Sequence, residues 1–322
     1  MGATRFLATL LGLLLSLNLW AATPVYPPVG VQVRAVRVAE HSYYVPGLNG
    51  AASPENEGFM SNAGFVVTPA GVVVFDTLGT PSLAAAMLAE IRKVTDAPIK
   101  RVIVSHYHAD HYYGIQVFKD AGAEVWAHRD AKGVIGSDAF LDRFAQRLEV
   151  LKPWVARGLQ RFVEPDVWLD GDTDFELGGL HFRVRHVGPA HSDEDLVMFV
   201  DQDQALFAGD LIFKGRVPFV GDADSRLWLT ALDKLIALNP KVLIPGHGGA
   251  SDTPMDDLTL TRDYLRFLRE QMGRAVADLL PFEEAYAKTD WSRYQHMPAF
   301  PEANRRNAYN TFILMERESL GK

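Results

Sequence analysis

Six residues, His106-Tyr107-His108-Ala109-Asp110-His111, constrain this chain more than any other feature. The β-branched run Arg101 to Val104 leads into them and the more helical stretch Tyr112 to Asp120 follows, so the four polar side chains are expected on a strand-to-helix loop. Loops in that position collect catalytic residues. Packing three imidazoles and a carboxylate together without partners would cost several kcal/mol of desolvation, on the order of 2–7 per group. A fold that keeps them together must satisfy them with one or two metal ions.

The chain has no cysteine, so any metal site has to be built from histidine and carboxylate. Such ligands favour zinc or iron, and a catalytic site leaves one position open to water or substrate. His106 and His108, two apart on an extended segment, point to the same side. Asp110 and His111 follow across a turn and can face a neighbouring ion. Three more polar residues stand at expected strand ends beside Gly or Pro: His191 in Gly188-Pro189-Ala190-His191-Ser192, Asp210 in Phe207-Ala208-Gly209-Asp210, and His247 in Pro245-Gly246-His247-Gly248. His41, His128, His181, His186 and His296 lie outside any such motif and are read as structural.

Around these motifs the chain alternates strands and helices twice. Val31 to Val38 alternates like a strand with one polar face, and a Gly/Asn/Pro-rich loop follows from Pro46 to Asn62, either a pocket wall or a passive connector. Gly64 to Thr68 and Val72 to Asp76 flank a Pro-Ala-Gly turn and predict a hairpin; Thr80-Pro81 caps a helix to about Val94. Ala123 to Ala127 reads as a strand and Ala139 to Leu151 as a helix with Phe140, Phe144 and Leu148 on one face. The second half repeats the scheme: a hairpin across Gly178-Gly179, strands Leu196 to Val200 and Ala205 to Ala208, a helix from Arg226 to Leu238, and a strand from Val242 to Ile244. Beyond Pro254 two amphipathic helices are expected, Met255 to Leu280 and Glu302 to Glu318. The fold class implied is α/β, two sheet-plus-helix halves packed as a four-layer sandwich over residues 23–253, with a C-terminal helical extension over 254–322.

Residues 1–22 carry one positive charge at Arg5, an apolar run from Phe6 to Leu19 and a small-residue end, Ala21-Ala22. This describes a secretory signal peptide, because the run is shorter than the ~20 residues that span a bilayer. The expected location is periplasmic or secreted, with no stable membrane span after cleavage. A net charge of −8 excludes the basic footprint of a nucleic-acid binder.

Asp76, the His-x-His-x-Asp-His run, His191, Asp210 and His247 appear in the order found in metallo-β-lactamase-fold hydrolases, and the chain resembles that superfamily from about Asn62 to Gly249. The resemblance implies an αββα sandwich. It implies a first metal on His106, His108 and His191, a second on Asp110, His111 and His247, and Asp210 bridging them; Asp76 would orient the ligand loop without being a ligand. Asp210 separates the chain from dedicated β-lactamases, which place Cys or Ser at the bridge, and is similar to glyoxalase II. His108 stands where flavo-diiron proteins carry Glu. Export argues against a glutathione thioester as substrate.

Within the superfamily, Ser105 to Gly114 and Gly209 to Phe219 resemble exported zinc hydrolases associated with quinoprotein relay and sulfur-oxidation operons, the SoxH-like group. That resemblance implies hydrolysis of a small-molecule ester, thioester or amide with two zinc ions per chain. Ions roughly 3.5 to 4 Å apart lower the pKa of a bridging water from about 15.7 towards ~7, and Asp110 and Asp210 would position the resulting metal-bound hydroxide. Lys214, Arg216 and Tyr112 are the expected substrate-binding residues. The alternatives are a mononuclear iron persulfide dioxygenase, β-lactamase activity, and a metal-stabilised accessory factor with periplasmic redox partners.

Overall fold

Alternate residues of single strands belong to different hydrophobic layers, and this fixes the architecture. In the computed structural model, which describes residues 26–221 and 223–321, strand β4 (Gly71–Phe75) sends Val72 and Val74 into one core and Val73 and Phe75 into another. Strand β10 (Leu196–Val200) divides in the same way, with Val197 and Phe199 facing outward and Leu196, Met198 and Val200 facing β4's sheet. A strand covered on both faces reads as a continuous apolar run, which is what both sequences show. The signal-peptide segment expected over 1–22 lies outside the described residues, among which no helix is long and apolar enough to cross a membrane.

The first sheet runs in chain order: β1 (Val36–Arg37), β2 (Ser42–Val45), β3 (Ala63–Thr68), β4, β5 (Ile99–Ile103), β6 (Glu124–His128) and β7 (Val167–Leu169). Pairing is antiparallel as far as β4 and parallel from β4 to β7. On its outer face lie α1 (Pro81–Val94), α2 (Ala109–Tyr112), α3 (Ile115–Asp120) and α4 (Asp138–Val150). The second sheet has the order β12 (Val242–His247), β11 (Ala205–Phe213), β10, β9 (Leu180–His186), β8 (Thr173–Leu177), and only β11 and β12 are parallel. Helices α5 (Ser225–Ala237), α6 (Pro254–Ala277), α7 (Phe282–Lys288) and α8 (Phe300–Ser319) cover it. The layers are helices, sheet, sheet, helices, and the C-terminal helices share one core with the second sheet through Leu258, Leu265, Leu268 and Phe312.

Local chemistry starts the helices where the sequence indicated. Thr80 Oγ1 accepts from Leu83 N at 3.1 Å with Pro81 in the first turn, and Asp224 Oδ1 caps α5 by accepting from Arg226 N and Leu227 N at 2.9 and 3.0 Å. Three elements depart from expectation. Val31, Val33 and Ala35 do pack on the first core, but only Val36–Arg37 pairs as strand; Ala35 N is satisfied instead by Glu90 Oε2 at 3.2 Å. The helix expected from Tyr112 breaks at Gly114, where a Cβ would stand 1.9 Å from Thr77 O. Strand β11 runs five residues past Ala208, through a register shift at Gly209, whose φ is +52°. Strands β2 and β7 and helix α7 were not foreseen.

Candidate metal centre

The ligand loop is built from Asp76 outward. Asp76 ends β4 in the left-handed region, φ 61°, a conformation that Asp and Asn tolerate better than most residues. Its carboxylate is buried and accepts three hydrogen bonds: from Ser105 N at 2.7 Å, Ser105 Oγ at 2.8 Å and His111 Nδ1 at 2.8 Å. Ser105 Oγ in turn meets His106 Nδ1 at 2.8 Å. One carboxylate thus fixes two imidazoles, one directly and one through a hydroxyl, and leaves both Nε2 atoms free to point inward. Asp76 sits where the sequence reading placed it, behind the loop.

His106 and His108 lie on the loop, whereas Asp110 and His111 belong to the one-turn helix α2, a correction to the expectation that all four share the loop. That turn is held from outside: Thr77 N and Thr77 Oγ1 both donate to His111 O at 2.9 Å, and Ser61 Oγ donates to Asp110 O at 2.6 Å. Asp210, expected at a strand end, lies inside β11, where the irregularity at Gly209 aims it at the loop. His247 ends β12 with its Nδ1 on Met60 O at 2.7 Å.

Two ligand sets result. In the first, His108 Nδ1 lies 3.0 Å from His106 Nε2 and 3.1 Å from His191 Nε2, while Asp210 Oδ2 lies 3.8 Å from His106 Nε2 and 3.5 Å from His191 Nε2. In the second, Asp110 Oδ2 is 3.5 Å from both His111 Nε2 and His247 Nε2, and Asp210 Oδ1 is 3.1 and 3.3 Å from the same two nitrogens. Ligands about 2.05 Å from a tetrahedral ion stand about 3.3 Å from one another, so both sets match what such an ion requires. Asp210 offers one oxygen to each. His111 Nε2 and Asp210 Oδ1 are buried without a hydrogen-bond partner, the state expected of atoms whose partner is an ion.

The electrostatics agree with that reading. Burial and the neighbouring histidines hold His106 well below the usual imidazole value; burial, His191 and Arg143 bring His108 down to about 3, and burial also lowers His191. These rings are neutral, with lone pairs available. Burial pulls His111 down as well, but Asp210, Asp110 and Asp76 outweigh it and hold it well above its ordinary value. Burial opposes ionisation of Asp110 and Asp210, yet the histidines win: His111 and His247 keep Asp110 low, and His247 and His111 keep Asp210 well below the normal range. Three neutral rings and two ionised carboxylates therefore converge where a cation would sit, and the proton that the carboxylates hold on His111 is the charge such a cation would displace.

A cleft of about 630 Å³ opens onto both sets, and Met60 of the Pro46–Asn62 loop lines it. The structure does not bring the three expected substrate-binding residues to its wall. Lys214 Nζ turns to Ala250 O at 3.0 Å and to Asp257 at 3.8 Å. Tyr112 is buried in the first core and donates to Val163 O at 2.7 Å. Arg216 is buried with its guanidinium 4.9 Å from the Phe219 ring, near enough for Asp210 and Asp110 to act on its charge, but it is not among the residues that line the cleft. The charged groups lining the cleft are others, among them Arg143, Arg147 and Glu194. Burial lifts Glu194 to about 7 while its carboxylate accepts from Tyr107 N at 2.9 Å. Asn62 escaped sequence reading too: its side chain donates to Pro245 O at 2.8 Å and Gly248 O at 2.6 Å, bracketing His247. The fourfold spacing of Arg143 and Arg147 was the one available signal for the basic pair.

His128, Asp130 and His186 form a third cluster. Their imidazoles stack face to face, centroids 3.5 Å apart and planes 9° from parallel, so the lone pairs run side by side and do not converge. His186 Nε2 meets Asp193 O at 2.9 Å, and Asp130 Oδ2 lies 3.3 Å from His128 Nδ1.

Comparison with known proteins comes from sequence and from fold. Residues 56–247 match the profile of the metallo-beta-lactamase superfamily. A linear primary-alkylsulfatase from Pseudomonas sp. (strain ATCC 19151) is 23% identical over 243 residues, which is 65% of this chain and 46% of that enzyme. A type 2 metallo-beta-lactamase from Bacillus sp. (strain 170) is 25% identical over 210 residues, 64% of this chain and 71% of its own length. The solved structure of the sec-alkylsulfatase Pisa1 from Pseudomonas sp. superposes with a TM-score of 0.68 at 19% identity, over 90% of this chain and 50% of that one. This chain therefore spans about half the length of the alkylsulfatases it matches.

Proposed function

We propose a function from the premise that this chain belongs to the metallo-beta-lactamase superfamily: it is a metal-dependent hydrolase that cleaves an ester, thioester or amide-type bond of a small molecule. The observation that carries this reading is the pair of four-atom ligand sets sharing Asp210. His106, His108 and His191 would hold one ion and Asp110, His111 and His247 the other, with Asp210 between them. Two ions there would supply Lewis acidity for the scissile group and a nucleophile from water at neutral pH.

The chain's own residues do the rest. Asp76 and Ser105 fix the inward-facing tautomers of His111 and His106. Asp110 and Asp210, both held ionised, orient the attacking water, and Asp110 reaches the cleft where it can take up a proton. The apolar walls at Phe213 and Phe219 limit bulk water. Convergence of the full second set favours two ions over the single iron of a persulfide dioxygenase. Zinc as the metal, export by the N-terminal segment, and placement in the SoxH-like group with periplasmic redox partners form part of the same proposal.

A second reading, sulfate-ester hydrolysis, is favoured by the alkylsulfatase similarity reaching across 90% of the chain. A panel of esters, thioesters, lactams and alkyl sulfates, run beside elemental analysis, separates the two. His106→Ala and Asp110→Ala should lose metal and turnover together. Full turnover in a variant that has lost both ions would end the hydrolase reading.

A further inference from the structure

We infer that Arg143 and Arg147 form a subsite for an anionic group of the substrate, a carboxylate or similar oxyanion remote from the bond that is cleaved. The inference rests on the hydrolase reading above and adds a substrate class to it: amphiphiles carrying one negative group away from the scissile centre. Arg143 and Arg147 stand four residues apart on α4, and so share one face of that helix, and both line the cleft that opens onto the ligand sets. Most arginines of this acidic chain are tied to carboxylates, among them Arg101, Arg161, Arg183, Arg185, Arg269 and Arg305. Among the described residues the guanidinium groups of these two have neither an ion pair nor a hydrogen bond, Arg143 being exposed and Arg147 half-buried. Their donors face the cavity unused.

The acidic side chains on the same wall do not supply the missing partner. Asp224 is engaged in capping α5, Glu194 accepts from Tyr107 N, Asp110 and Asp210 belong to the ligand sets, and neither Asp130 nor Asp193 forms an ion pair with either arginine. The charges of Arg143 and Arg147 are close enough to the centre to be felt there, Arg143 at His108 and Arg147 at Asp110. A substrate whose reacting bond lies over Asp210 therefore brings its remainder within reach of two guanidinium forks, the donor geometry that matches a carboxylate bidentately. Arg306 of α8 adds a third cation to the lining, and Phe213, Phe219 and Val220 provide apolar surface for the body of the molecule.

The test uses metal-replete protein and two aryl esters of matched size, the anionic mono-4-nitrophenyl glutarate and the neutral 4-nitrophenyl valerate. The wild type is expected to favour the anionic ester, and the Arg143→Gln/Arg147→Gln variant to lose at least tenfold in the ratio of kcat/KM for anionic over neutral ester, through KM, with metal content unchanged. Equal loss on both esters, or an unchanged ratio, overturns the subsite. Glutarate itself, which has no bond to cleave, is titrated calorimetrically in parallel: binding should weaken at least tenfold in the double variant, and equal binding by both proteins overturns the subsite independently of catalysis. If neither ester turns over while glutarate discriminates, the acyl-hydrolase reading fails and the subsite stands.

Discussion

Replacing Asp76 by Asn should loosen both candidate metal sites at once without touching a candidate ligand. Asn has nearly the same shape and also accepts a positive φ, so the backbone at 61° is left alone. The hydrogen bonding is not. The carboxylate accepts from Ser105 N, Ser105 Oγ and His111 Nδ1. With its single oxygen kept on Ser105 N, the substituted side chain presents an amide N–H to His111 Nδ1 and to Ser105 Oγ. His111 must then move its proton to Nε2, and the Ser105 Oγ proton, having lost its carboxylate acceptor, turns to His106 Nδ1, which drives that ring's proton to Nε2 as well. Each ligand set loses one lone pair. Restoring it forfeits the new hydrogen bond and leaves buried donors unsatisfied, about 1–3 kcal/mol, and at about 1.4 kcal/mol per decade this means roughly 5- to 150-fold weaker binding per ion. Competition against a chromophoric chelator measures the affinity, and ¹⁵N spectra of the histidines report the tautomers. Two ions bound with wild-type affinity, and His106 and His111 still protonated on Nδ1, would refute the argument.

Gly246→Ala places a Cβ 2.0 Å from Asp210 Oδ1 and 2.7 Å from Gly209 C; it should displace the shared carboxylate, cost about 3 kcal/mol in urea unfolding, and release metal in the same assay. Asn307→Leu strips partners from Val220 N, Pro218 O and Tyr264 OH, at 2.9, 2.6 and 3.0 Å. It should destabilise by about 3 kcal/mol and raise KM more than it lowers kcat, because Val220 lines the cleft. Glu194 carries the pH prediction. Its folded value of about 7 lies above the ordinary 4.5, so the folded state holds a proton that the unfolded state has lost, and stability falls as pH rises from 4.5 through 7. In chelator-treated protein, Glu194→Gln should match wild type near pH 4.5 and gain up to about 3 kcal/mol at pH 8; parallel pH profiles for the two proteins would count against it.

The sequence alone carried the layers and the residue types of the candidate ligands. Val72 to Phe75 and Leu196 to Val200 are apolar throughout because each is covered on both faces, and Thr80-Pro81 starts α1 because capping is settled within one turn. Histidines and carboxylates beside Gly and Pro could be picked out because their chemistry is written in residue type, and the geometry then brought all seven within reach of two centres. What the sequence could not carry was direction. Lys214 and Tyr112 lie within four residues of ligands, yet one reaches for Ala250 O and the other for Val163 O. Arg143 and Arg147, more than thirty residues from the nearest ligand in sequence, line the cleft. Spacing along a chain decides which face a side chain shares with its neighbours, whereas which face meets a cavity depends on elements packed from far away. Here α4, β11 and the C-terminal helices made that decision, and only tertiary structure brings them together.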